Sequence, residues 1–227
     1  MHSRLRSVFA TIVALSLTAL AAVVLAAAGG WTETGSGWWG SQPERKVSFP
    51  DNGISLELKM APGDGVSFER EGTWPPSSRA SFRMFSDNVN ARENDYVPSE
   101  AHFPVSVTFA FGQDSVSLGI WSRVGLFFQN IRRGFPPSGI RLTYAWGNRV
   151  PQGSMYRLEA EETVFTLAGA DETGKEISGI RRLSEDFQAA YGRPPKGPVT
   201  AVKVRAQRPS GEKGPLAARL SVRFPAD

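Results

Sequence analysis

Residues 103–112 read FPVSVTFAFG, and their alternation decides the fold class. Phe103, Val105, Val107, Phe109 and Phe111 recur at every second position, which lines up side chains on one face of a β-strand. Ser106, Thr108 and Ala110, between them, are smaller or polar, so the two faces differ. The same period returns in IRLTYAWGNRVPQGS, residues 140–154. There Ile140, Leu142, Tyr144 and Trp146 share one face, with Arg141, Thr143 and Ala145 opposite.

Working outward, short strand-like runs follow at intervals of roughly ten residues. RKVSF, ISLELKM, GVSFERE and ASFRMF lie upstream; TVFTLAG, EISGIRRL, VTAVKVRAQ and LAARLSVRF lie downstream. In ISLELKM the apolar Ile54, Leu56, Leu58 and Met60 alternate with Ser55, Glu57 and Lys59. The turn signals PDNG and APGDG separate the runs, as antiparallel hairpins require. Many short strands with regular turns predict an all-β fold, an antiparallel two-sheet sandwich of jelly-roll type with one or two short helices. The first helix is expected in SLGIWSRVGLFFQNIRRGF, where Leu118, Trp121, Val124, Phe128 and Ile131 recur at helical steps. It is expected to cover an open sheet face. Its Arg123, Arg132 and Arg133 leave an anionic membrane surface as the alternative. The second is SEDFQAAYG, with Ser184 as cap, Glu185 and Asp186 at the positive end and Gly192 closing it.

Ahead of the strands, Arg4 and Arg6 precede an uncharged apolar run ending in Ala26, Ala27 and Ala28, the pattern of a secretory signal over 1–28. An uncleaved N-terminal anchor is the alternative, because no charge falls between Arg6 and Glu33. Either places the body of the protein in the periplasm or outside the cell, tethered to the inner membrane if the segment is retained. Residues 29–43, rich in Gly, Ser and Trp, read as a linker, and 44–227 as a single sandwich domain. With no cysteine, the core must hold without disulfides. Losing Arg4 and Arg6 leaves 24 basic against 22 acidic residues, too small an excess for a phosphate-tracking surface, so no nucleic-acid partner is expected.

The absence of cysteine excludes thiolate nucleophiles and Cys-based metal sites, and beyond the signal only His102 is available as an imidazole. No serine sits in a G-x-S-x-G elbow. The carboxylates nearest to a glycosidase pair are Glu159 and Glu161, two apart in LEAEETVF and expected to share a strand face. No cofactor is expected. Calcium is the one metal with a candidate loop, SDNVNARENDY, in which Asp87, Asn90 and Asp95 offer oxygen ligands. Sugar binding needs exposed aromatic faces with polar neighbours; Trp31, Trp38, Trp39, Trp74, Trp121 and Trp146 are the candidates. In the 140–154 stretch, the alternation assigns Tyr144 and Trp146 to the core. Asn148, Arg149 and Gln152 are then the ligand-touching residues, with Trp146 as support beneath them. The expected partner is a carbohydrate or another cell-surface polymer.

The order of Tyr144, Trp146, Pro151 and Gly153, then the strand TVFTLAG, then Asp186, Phe187, Tyr191 and Gly192 resembles a family of exported bacterial proteins known as domain of unknown function 3047. The resemblance spans about 120 residues, from Phe103 to Phe224. It implies an all-β sandwich similar in outline to carbohydrate-binding jelly rolls, and no established activity. The family pattern places an acidic pair before the central strand and a run of Asp, Asn and Thr after the helix. This chain has PSEAHFPVSV and AVKVRAQRPSGEKGP there, so a capacity resting on those acids is not carried over.

Overall fold

The computed structural model describes residues 30–34, 43–112 and 139–226. Twelve strands form two sheets: β1 (Trp31–Glu33), β2 (Glu44–Ser48), β3 (Gly53–Met60), β4 (Gly65–Trp74), β5 (Arg79–Ser86), β6 (Val105–Phe111), β7 (Ile140–Trp146), β8 (Met155–Glu159), β9 (Glu162–Ala168), β10 (Glu176–Arg182), β11 (Val199–Gln207) and β12 (Leu216–Ala226). One sheet has seven strands in the order β1-β4-β11-β6-β7-β9-β8; the other has five, β10-β5-β12-β3-β2. All pairs are antiparallel except β7 with β9. The expected two-sheet sandwich is therefore the fold, with one parallel pair that alternation cannot reveal.

The core lies where the expected faces meet. Val105, Val107, Phe109 and Phe111 of β6 and Ile140, Leu142, Tyr144 and Trp146 of β7 are fully buried, opposite Ile54, Leu56, Leu58 and Met60 of β3 and Leu220, Val222 and Phe224 of β12. Aromatic rings span the gap edge to face: Phe109 to Phe224 at 4.9 Å and Phe82 to Phe109 at 6.2 Å. Such contacts add roughly 0.5–1.5 kcal/mol each beyond the area they bury.

Two expectations are corrected. Residues 31–33 lie in the span read as linker but form an edge strand on β4, and Trp31 is buried there. Three residues are too few to show a period, and the flanking glycines and serines hid the strand. The helix α1 (Leu183–Tyr191) is capped two residues earlier than expected: Arg182 holds the cap position and Ser184 lies inside the first turn. Gly192 closes it with φ 70°, a left-handed conformation that glycine adopts without a Cβ penalty. Both faces of β6 and of β7 are buried. The helix expected around Trp121, and Trp38 and Trp39, lie outside the described residues. Among the described residues, no helix is long and apolar enough to cross a membrane.

Candidate functional site

The β7–β8 turn, which carries the sequence-predicted ligand residues, is organised by one carboxylate. Asp95 Oδ2 accepts hydrogen bonds from the backbone amides of Asn148 (2.8 Å), Arg149 (2.8 Å) and Val150 (3.1 Å), and Oδ1 accepts from Asn148 Nδ2 (2.7 Å). A carboxylate bound by successive amides acts here as a cap for a turn. Asn148 is itself buried: its Oδ1 receives the Asn90 amide at 2.8 Å, and its Nδ2 also reaches the His102 carbonyl. It braces the loop and is not placed to touch a ligand. Trp146 lies in the core, fully buried, one turn beneath. Arg149 is exposed, its Nη2 donating to the Ala91 carbonyl at 2.8 Å. Gln152 is separated from it, bonding Leu167 O at 2.9 Å and lining a pocket between the sheets.

The oxygens offered for calcium are likewise occupied by protein donors. Asp87 Oδ1 accepts the Ala217 amide at 2.8 Å, at the end of β5. Asn90 is fully buried; its Nδ2 donates to His102 O and Gln207 O, and its Oδ1 accepts from Arg208 Nη1 at 3.0 Å. With Asp95 serving the turn, the three candidates do not converge on one point. Among the described residues no group of three or more His, Cys, Asp or Glu side chains is arranged to hold a metal ion. His102 sits on the rim of this loop, its ring against Glu93.

What the turn presents instead is an aromatic ring that sequence reasoning missed. Tyr96, the residue after the Asp95 clamp and the last letter of SDNVNARENDY, is 59% exposed. Its ring meets Tyr156 of β8 edge-on at 4.9 Å, and its amide bonds the Asn94 side chain at 3.1 Å. The ring is thus held by Tyr156 on a backbone that Asn94 braces, and more than half of the residue stays exposed. Among the described residues, the tryptophans do not play this part: Trp31 and Trp146 are core, and Trp74 packs on Phe224 under the Arg70 guanidinium. The signal for Tyr96 is its place at the end of an Asx-rich loop, but only the fold shows that the residue is exposed.

The carboxylate pair is also rearranged. Ala160 and Glu161 make the turn between β8 and β9, so Glu159 and Glu161 do not share a strand face. Register pairs Glu159 with Glu162, and Arg141 Nη2 bridges them at 2.8 and 3.2 Å. Thr143 donates to Glu162 at 2.7 Å, and Thr108 to Thr143 at 2.8 Å, extending a buried polar network along the outer face of the seven-stranded sheet. Glu161 is buried beside this network, and burial pushes its carboxyl up despite Arg141.

Further along this face, Lys203 faces Glu69 at 3.8 Å, both nearly fully buried. Burial, then the neighbouring Arg205, pushes the Lys203 ammonium down to about 8. A lysine that holds its proton less well folded than unfolded destabilises the fold while both states are charged. The penalty falls as pH rises through the folded value toward the ordinary lysine range. The urea midpoint is therefore expected to rise from about pH 7.5 to about pH 9.5 in the wild type, relative to Lys203→Met over the same interval. Parallel behaviour of the two proteins would refute the assignment.

The resemblance drawn from the sequence picks out Tyr144 and Asp186, and these meet. The buried Tyr144 hydroxyl donates to Asp186 Oδ2 at 2.6 Å, and Arg181 grips the same carboxylate with Nε and Nη2. Burial and the adjacent carboxylate hold the Tyr144 phenol well above its usual range. This trio locks α1 to β7 and β10.

No family model matches the chain, and no curated protein matches it. Among solved structures, it is similar to the catalytic domain of Humicola grisea Cel12A in complex with a thio cellotetraose, with a TM-score of 0.45 and 11% identity over 86% of this chain and 92% of that one. It is also similar to the Trichoderma harzianum endoglucanase 3 from family GH12, with a TM-score of 0.42 and 10% identity over 86% and 90%. A third is the xyloglucanase domain of NopAA, a type three effector from Sinorhizobium fredii, in complex with cellobiose, with a TM-score of 0.36 and 10% identity over 86% and 96%.

Proposed function

We propose that this chain is an exported, non-catalytic β-sandwich that binds carbohydrate on the surface formed by Tyr96 and Arg149. The observation that carries the reading is the exposed Tyr96 ring, fixed by Tyr156 and by a loop that the Asp95 clamp holds rigid. A pre-positioned ring face can stack on a sugar without ordering cost, and a planar guanidinium beside the same clamp can hydrogen-bond hydroxyl pairs. A binding role without turnover is supported by the carboxylates: Glu159 and Glu162 share Arg141, and Asp186 is held by Arg181 and Tyr144. Export through the N-terminal segment and the likeness to the unknown-function family belong to the same reading.

The test is affinity electrophoresis of residues 29–227 against a panel of soluble polysaccharides. Tyr96→Ala and Arg149→Ala are each expected to weaken retardation about tenfold, near 1.4 kcal/mol, while leaving the melting temperature nearly unchanged. Retardation by no member of the panel, or unaltered retardation of both variants, would refute it. Polysaccharide cleavage that disappears in Glu159→Gln with Glu161→Gln would instead establish a hydrolase.

A further inference from the structure

The two sheets do not end together on the side of β10. Arg181 of β10 lies over Tyr144 and Phe165, at 5.8 and 5.5 Å, so β10 covers β7 and β9. The seven-stranded sheet continues one strand further, to β8. On β8, Met155 pairs with Phe165 and so points toward the core side, yet it is 48% exposed. Ile180 on β10 is 60% exposed. With Tyr96, these are the exposed large hydrophobic residues among those described, and two of them flank this seam.

A pocket of about 190 Å³ opens in the seam, floored by Phe82 and Met84, walled by Leu167 and Ile177, and rimmed by Gln152, Ser178 and Arg181. It exists because Gly179 has no side chain. Gly179 pairs with the inward-facing Phe82, so its own side chain would point into the gap, and a Cβ there would meet nothing within 4 Å. A second hollow of about 460 Å³ continues past Ile180 and Arg181 to Arg79, Arg182 and Glu185.

Among the described residues, no strand pairs with β10 on this side. The Leu183 amide donates to Ser78 O, continuing the β10–β5 register by one pair. In an antiparallel ladder, alternate residues direct their N–H and C=O groups to the same neighbour. The odd-numbered residues of β10 therefore bond β5, and Ser178 and Ile180 direct theirs away from it. Among the described residues, β10 pairs with β5 alone.

We propose that the β10 edge accepts an extended polypeptide segment from another protein, as a sixth strand of the five-stranded sheet. Donors and acceptors repeating every second residue along an edge are complementary to a polypeptide backbone. In antiparallel register, the residue opposite Gly179 points into the open pocket, so an aliphatic side chain is required there. The residue opposite Ile180 covers it on the outer face. Charge sets the direction: Glu176 and Arg182 stand at opposite ends of the strand. The fitting segment has an acid at its N-terminal end, against Arg182 and Arg79, and a base at its C-terminal end.

The probe is the acetylated, amidated peptide Glu-Thr-Val-Leu-Thr-Val-Lys, titrated into residues 29–227 with amide hydrogen exchange as the readout. Binding is expected to protect the Ser178 and Ile180 amides at least tenfold. Replacing the peptide leucine by aspartate, or exchanging its terminal charges, is expected to weaken binding at least tenfold. Gly179→Leu, which fills the pocket with the protein's own side chain, is expected to fold and to lose binding by a similar factor. Ile180→Pro removes only an outward N–H and serves as the second blocking variant. No binding of the leucine peptide, or binding that leaves the two amides unprotected, would overturn the proposal. So would protection of the same amides by a polysaccharide. Because Tyr96 and Arg149 are not involved, Tyr96→Ala is expected to bind this peptide as the wild type does, so the two readings stand or fall separately.

Discussion

Replacing Arg208 by methionine is expected to destabilise the protein by about 3–5 kcal/mol, the usual cost of breaking a buried charge network. Arg208 is 1% exposed. Its guanidinium donates to Val89 O at 2.7 Å, Lys213 O at 2.6 Å, Gly214 O at 3.2 Å and Asn90 Oδ1 at 3.0 Å. Methionine fills much of the same volume but donates nothing, so partly buried carbonyls on both the 87–104 loop and the β11–β12 connection lose their partner. Desolvation lowers the affinity of this guanidinium for its proton, with Glu212 opposing, yet an arginine stays charged in all ordinary conditions. Equilibrium urea unfolding of wild type and Arg208→Met measures the difference. A loss below about 1 kcal/mol would mean that the carbonyls find water instead. Arg208→Lys is expected to recover less than half of the loss, because one ammonium cannot serve carbonyls that a planar fork reaches together.

Asp95→Ala is expected to cost about 3 kcal/mol, since each amide bond to a charged acceptor contributes roughly 1.5–3 kcal/mol and the turn re-solvates in part. Three consecutive backbone amides and the Asn148 side chain lose their acceptor at once. The effect reaches function as well as stability, because the same clamp holds Arg149 and precedes Tyr96. Carbohydrate affinity is therefore expected to fall in Asp95→Ala at temperatures well below its unfolding midpoint. Urea unfolding together with affinity electrophoresis at low temperature separates the two effects. Retained affinity in a destabilised variant would show that clamp and binding surface are independent. Asp95→Asn keeps one acceptor oxygen and is expected to fall between wild type and alanine.

Both predictions concern a loop whose letters invited another reading. Asp87, Asn90 and Asp95 look like oxygen ligands for calcium, and their composition alone does not distinguish ligands from caps. The difference lies in what faces them. Asp95 meets amides from residues more than fifty positions away, and Asn90 meets Arg208 from β11's far end. Likewise, Asn148 is polar and follows a strand, the pattern of a contact residue, yet the fold turns it inward. Tyr96 gives no comparable signal, because an aromatic at the end of a polar loop carries no period.

The strand alternation, by contrast, needed no tertiary information. A period of two is a property of the extended backbone itself, so it named the core faces of β3, β6, β7 and β12 and predicted the sandwich. The helix over 183–191 was legible through its acids and closing glycine. Tertiary structure alone decided what lies against each face and edge. It buried the polar sides of β6 and β7, ran β9 parallel to β7, moved Glu161 onto a turn, and left β10 short of β8 above an unfilled space at Gly179. Periodicity reports how one strand divides its side chains between two faces. Which partner comes to each face depends on contacts between residues far apart in the chain, and those are fixed only when the sheets pack.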